Sequence, residues 1–180
     1  MQCCEDLETL VADADVLLSI LPPAAAIGFA EQVCPLIKAS GNDLLFVDCN
    51  AVSPASLERI ANIAARNGVR FQDVGIVGAA PRPGRIPVRF YTSGQHLESM
   101  RKLRTDLIDI KPLGDEAGRA SALKMVFASL TKGTHALQTA AMMAGEALGV
   151  GAEIREEWRN NLPQAYQAMP SSTWTPVRHG

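Results

Sequence analysis

Four cysteines are spread through the 180 residues, and none is arranged to hold a metal. Cys3 and Cys4 are adjacent, Cys34 and Cys49 stand alone, and no C-x-x-C pair or cysteine–histidine cluster occurs, which argues against a zinc site. The isolated cysteines read as small core residues, so a reducing, cytoplasmic setting is expected. Neither charge is in excess, with 17 basic against 19 acidic residues. With no basic run and no aromatic-interleaved basic patch, the chain lacks the footprint of a nucleic-acid surface. Glu5, Asp6 and Glu8 stand where a secretory signal would have basic and then apolar residues, so no signal peptide is expected. The most apolar stretch is broken by Lys132, His135 and Gln138, and it is not expected to cross a membrane. No internal repeat is present. The dinucleotide fingerprint G-x-G-x-x-G is also missing. Its nearest string, Gly149-Val150-Gly151, follows a helical pattern rather than a strand and reads as a helix stop.

The residues that are present, 47% of them hydrophobic, are enough to build a core. Residues 5–12 read as the end of a helix. ADVLLSIL (14–21) and LLFVD (44–48) are continuous apolar runs of the kind covered on both faces in a parallel sheet. VRFQDVGIV follows as a third strand, IPVRFYTSG (86–94) as a fourth and antiparallel one, and IDIKPLG as the last. Helices are predicted between them: over 24–39, with Pro35 as a kink or early stop; after Ser53-Pro54, with Ser53 as cap and Pro54 at the first helical position; and a short one in HLESMRKLRTDL. This alternation predicts an α/β fold with a partial doubly wound, Rossmann-like parallel sheet, followed by an all-α part. The domains are set at residues 1–112 and 113–180, with a loosely held tail from about 162.

The stretch from Gly114 to Gly149 contains no proline and predicts one helix over about 117–148, roughly 45 Å long at 1.5 Å per residue. Asp115 and Glu116 suit its N-terminus and Gly149 its end. Ala, Leu, Met, Val and Phe occupy most of its circumference, so burial on most sides is expected. Lys124, in SALKMVF, is then an amine among Leu123, Met125, Val126 and Phe127. Such a lysine either snorkels to water or has a chemical task.

In parallel α/β sheets, ligands bind beyond the carboxyl ends of the strands. Three loops qualify. LPPAAA, with Leu21, Pro22 and Pro23, is small and apolar, a surface on which a nucleotide ring or ribose could lie. DCNAVSP offers Asn50, whose amide both donates and accepts, although a turn or cap role is the commoner reading of such a residue. GIVGAAPRPG contains Gly75, Gly78 and Gly84, which permit close backbone approach.

The series ADVLLSILPP, FVDCNAVSP, GVRFQDVGIVGAAP and GRASALKMVFASLTKG is similar to the 6-phosphogluconate dehydrogenase and 3-hydroxyisobutyrate dehydrogenase superfamily, over roughly residues 5–160. The nearest likeness is to a branch with an ALKM…LTKG helix in its C-terminal domain. The resemblance implies oxidation of a hydroxy acid with NAD or NADP, with Lys124 as general base and acid and a substrate small enough to enter the cleft. It implies Leu21, Pro22, Pro23 and Asn50 toward the cofactor, and Gly78, Ala79, Ser121 and Ala128 toward the substrate. Where better-known members carry Ser-Gly-Gly after the third strand, this chain has Val77, Gly78 and Ala79. Where they carry an asparagine one turn after the lysine, it has Ala128. Where they carry a serine/threonine pair after the second strand, it has Asn50 and Ala51. Substrate-orienting polar groups would then come from Ser121, Ser129, Arg119 or Lys132. The family's opening strand and glycine-rich turn have no counterpart here, so the chain is expected to be a fragment or truncated form. Two other readings stand beside the dehydrogenase. One is imine reduction, known among superfamily relatives. The other is a non-catalytic helical module that forms a homodimer through the small residues Ala136, Ala140, Ala144 and Ala147.

Overall fold

A computed structural model of the chain describes Cys4 and residues 6–168. The expected tail beyond residue 168 and Cys3 lie outside the described residues. The chain divides into two compact units, one up to Val126 and one from Phe127 onward. The first unit takes in the whole sheet together with the opening turns of the long helix.

The sheet has five strands in sequential order: β1 (Val16–Ser19), β2 (Leu45–Asp48), β3 (Arg70–Val77), β4 (Val88–Ser93) and β5 (Ile108–Pro112). All neighbours are parallel except β3 and β4, which run antiparallel. The expected mixed sheet is therefore present, with β1 at one edge and β5 at the other. β2 is buried at all four positions, as its apolar Leu45–Val47 run requires, and Asp48 at its end is buried with them.

Four helices belong to this unit in full: α1 (Leu7–Asp13), α2 (Ala26–Ser40), α3 (Pro54–Arg66) and α4 (Leu97–Arg101). Ser53 caps α3 by accepting from the Ser56 amide, with Pro54 at the first helical position. Pro35 does not stop α2 early; the helix continues to Ser40 and ends on Gly41 at φ +70°. The missing amide of Pro35 frees the carbonyl of Glu31, and both residues are exposed, which leaves that carbonyl open to solvent. One face of the sheet packs Leu17 and Phe46 against Val33, Ile37, Ile60 and Ala64 of α2 and α3, with Phe46 between the rings of Phe29 and Phe71. The other face packs Leu45, Val47, Val74, Phe90 and Ile110 with Met100 of α4.

The long helix, α5, runs from Arg119 to Ala147. In the second unit it is followed by α6 (Gly151–Asn161) and α7 (Pro163–Gln167). The expected burial of α5 on most sides does not occur among the described residues. Leu130 is 66% and Leu137 73% exposed, and Phe127 and Met143 are also open to solvent. α6 and α7 are too short to cover the second unit's stretch of α5.

Candidate active site

The site grows from a polar row in an otherwise apolar sheet. Ser19, Asp48, Asp73 and Ser93 are successive register partners across β1, β2, β3 and β4. All four are at most 2% exposed. Directly opposed residues share a face, so this is one line of polar groups that starts at the carboxyl ends of β1 and β2 and crosses the middle of β3 to the end of β4. Buried polar atoms need partners, and each half of the row has found different ones.

Asp73 is spent on α5. Its Oδ2 accepts from Ser93 Oγ, Gly118 N and Ser121 N, each at 3.0 Å, and its Oδ1 accepts from Ser121 Oγ at 2.6 Å. Ser93 Oγ in turn accepts from Ala120 N at 3.0 Å. Three of the backbone amides that a helix start leaves without internal partners are thus satisfied by side chains of the sheet. Gly75, two residues on along β3, permits the contact. A Cβ there would lie 2.6 Å from the Ala120 carbonyl oxygen and 3.2 Å from Lys124 Cβ. The first turns of α5 are therefore fixed on the sheet by hydrogen bonds at one end and close packing at the other.

This seat delivers Lys124. Its Nζ donates to the carbonyl of Cys49 at 3.1 Å, directly beyond β2. The side chain is half-buried. Burial holds its pKa below the usual lysine range, against a weaker opposite pull from Cys49, Asp48 and Asp73. The Cys49 thiol is itself pushed up to about 12 by burial, and Asp48 adds to the rise. The amine is thus turned onto the strand edge.

Asn50 unites the other half of the row. Its Nδ2 donates to Ser19 Oγ at 2.9 Å and to Asp48 Oδ1 at 2.5 Å, and its Oδ1 accepts from the Leu21 amide at 2.6 Å. At 2% exposure its amide serves to bracket the loop after β1 onto β2. Leu21, Pro22 and Pro23 themselves are exposed beyond the end of β1. Among the described residues Asp48 Oδ2 is buried without a partner. Burial raises the Asp48 pKa, which the Asn50 hydrogen bonds and Lys124 partly offset and Asp73 reinforces.

The structure therefore brings Lys124, Asn50, Leu21 and Ser121 to one edge of the sheet. Ser121 is buried, with its hydroxyl used by Asp73. Gly78, at φ +132°, and Ala79 line a cavity of about 580 Å³ in the connection from β3 to β4. Ala128 belongs to the second unit. Asp48, Asp73, Ser93 and Ser19 escape the pattern reading. The signal for the two carboxylates is their place in strands covered on both faces, where an unpaired acid is costly. Among the described residues no cluster of potential metal ligands exists, and no helix is long and apolar enough to cross a membrane.

No protein-family model matches the chain. In sequence it is similar to the 2-(hydroxymethyl)glutarate dehydrogenase of Eubacterium barkeri, 26% identical over 163 residues that make up 87% of this chain and 53% of the relative. Among solved structures it is similar to a conserved protein of unknown function described as structurally similar to 3-hydroxyacid dehydrogenases (TM-score 0.67, 26% identity, 93% of this chain and 60% of that one). Its fold is also that of an imine reductase variant from Myxococcus stipitatus in complex with NAD+ (TM-score 0.70, 19% identity, 91% of this chain and 57% of that one). The chain spans about half the length of the curated relatives it matches.

Proposed function

We propose that this chain, which shares its fold and part of its sequence with the 6-phosphogluconate and 3-hydroxyisobutyrate dehydrogenase superfamily, forms the substrate side of an NAD(P)-linked oxidoreductase acting on a hydroxy acid, with Lys124 as its acid and base. The observation that carries the reading is the half-buried Lys124, whose amine is held on the Cys49 carbonyl at the edge where parallel sheets bind ligands. Oxidising an alcohol requires removal of the hydroxyl proton, and a lysine whose pKa is lowered by burial releases its own proton more readily to become that base. The Cys49 carbonyl aims Nζ, and the seat of α5 on Asp73 fixes how far it reaches.

The exposed Leu21–Pro23 surface, pinned by Asn50, fits the flat ring and ribose of a nicotinamide nucleotide. When bound there, the cofactor would take up the hydride. Among the described residues no glycine-rich strand–turn–helix offers backbone amides to a pyrophosphate. The neighbouring structures with bound NAD+ or NADP+ support the cofactor class without choosing between the two.

The test is a screen of small hydroxy acids with NAD+ and NADP+, following reduced cofactor, with Lys124→Met beside the unaltered chain. Turnover by the unaltered chain and its loss in the variant, with cofactor binding by calorimetry retained, is the expected outcome. Turnover that persists in Lys124→Met removes the lysine from the chemistry. The exposed apolar side chains of α5 support a second feature, a homodimer in which another copy covers Leu130, Leu137 and Met143.

A further inference from the structure

Three arginines, Arg82, Arg85 and Arg89, line the cavity between β3 and β4. Among the described residues none of them forms an ion pair, and the Nε of Arg89 is buried without any partner. The nearest acid by strand register is Asp109, opposite Arg89 on β5. It is already engaged by Lys111 at 2.8 Å and Arg104 at 3.5 Å. A buried guanidinium N–H without an acceptor is unfavourable, and three uncompensated cations around one hollow create a strong local preference for an anion. The rest of the lining is mainly apolar, with Ala79, Ile86 and Pro87 prominent.

The register relates this hollow to Lys124. Gly75 faces the Lys124 Cβ and opposes Tyr91; two residues on, Val77 opposes Arg89. Alternate residues of a strand share a face. Arg89 therefore stands on the face of the sheet that carries Lys124, one pleat farther along, about 7 Å by strand rise. A cationic, partly apolar hollow follows the amine along the same strand pair.

We propose that this hollow is an acid-binding pocket that takes a carboxylate of the substrate remote from the carbon that reacts. The guanidinium forks of Arg82, Arg85 and Arg89 match a carboxylate in shape and charge, and the carbon chain behind it lies against Ile86 and Pro87. The substrate class is then a small dicarboxylic acid with a hydroxyl on one arm. Only the word substrate rests on the reading of Lys124 given above; binding of the acid does not depend on turnover.

The experiment is a calorimetric titration of the full chain, without cofactor, using glutarate, its uncharged analogue glutaramide, inorganic phosphate and adenosine 2′-monophosphate. Saturable one-to-one binding of glutarate and none of glutaramide is expected. Arg89→Gln and the double variant Arg82→Gln/Arg85→Gln should each weaken glutarate by at least about tenfold, with melting temperatures at the wild-type value. The double variant changes exposed side chains only, so it keeps the test decisive if Arg89→Gln fails to fold. Absence of saturable glutarate binding overturns the proposal, as does equal binding by the arginine variants. Binding of the two phosphates but not of glutarate also overturns it and assigns the arginines to a nucleotide phosphate. Turnover retained in Lys124→Met would remove the acid–base reading and leave the glutarate result standing.

Discussion

Replacing Gly75 with alanine tests the seat on which the whole site depends. The added methyl would meet the Ala120 carbonyl oxygen at 2.6 Å and the Ala120 carbonyl carbon at 3.2 Å, both backbone atoms, together with Lys124 Cβ at 3.2 Å. A flexible side chain could swing away; a helix turn has to move. That turn is held by Gly118 N and Ser121 N on Asp73 and by Ala120 N on Ser93, so backing off stretches three hydrogen bonds at once. Overpacking of a close contact costs about 1–3 kcal/mol. With no compliant neighbour, the expected cost lies in the upper half of that range, about 2–3 kcal/mol. For a chain of this size 1 kcal/mol corresponds to about 2–4 °C in melting temperature, so a fall of roughly 4–12 °C is expected. Gly28→Ala is the matched control. Gly28 is exposed inside α2, and nothing lies within 4 Å of a Cβ built there. Alanine at that position should stabilise the helix by about 0.5–1 kcal/mol. Differential scanning calorimetry reads both, and amide shifts of Ala120 and Ser121 report whether the turn moved. If Gly75→Ala melts at or above the wild-type temperature while Gly28→Ala rises as expected, the close seating of α5 on β3 is wrong.

Asp48 gives a pH signature whose sign is fixed. Its folded pKa is raised above 3.8, chiefly by burial, so the native state keeps that proton longer than the unfolded chain; this contribution is complete below pH 3.8 and is lost as pH rises through the raised value. Asp48→Asn keeps the oxygen that accepts from Asn50 and cannot ionise, so its melting temperature minus that of wild type should increase from pH 3 upward, and a gap that is flat or narrows with pH would refute the assignment. The homodimer is read by light scattering over a range of concentrations. Leu130→Glu together with Leu137→Glu should give a monomer, and a wild-type chain that is monomeric at every concentration would exclude the second copy.

The elements of the sheet were legible because their signals are local. VLLS and LFVD are strands because each opens on three consecutive apolar residues and meets a polar one only at its end, and α3 begins where Ser53 and Pro54 place a cap and a fixed φ. Lys124 was legible for the same reason, as one charge in an apolar helical run. Pro35 misleads because the cost of a proline depends on whether water reaches the freed carbonyl, which is a property of the folded surface. The burial of α5 misleads because composition states which surface is apolar and not whether one chain supplies its cover.

What could not be read was the pairing of strands. Asp48 and Asp73 are 25 positions apart in sequence, and only the β2–β3 register makes them neighbours in a row that begins at Ser19 and ends at Ser93. Taken alone, each looks like the last polar residue of a strand. Side by side and buried, two carboxylates demand donors, and the sources of those donors account for the site. Asp73 takes its donors from the start of α5 and so fixes the helix; Asp48 takes one from Asn50 and so fixes the loop after β1. Lys124 lies on the helix that the first carboxylate seats, and it reaches the carbonyl between Asp48 and Asn50, the two residues that hold the loop. Helix, loop and amine are thus set by one row of buried polar groups. A substitution at Asp73 or Asn50 should therefore displace the lysine or the loop while the hydrophobic core on both faces of the sheet stays closed.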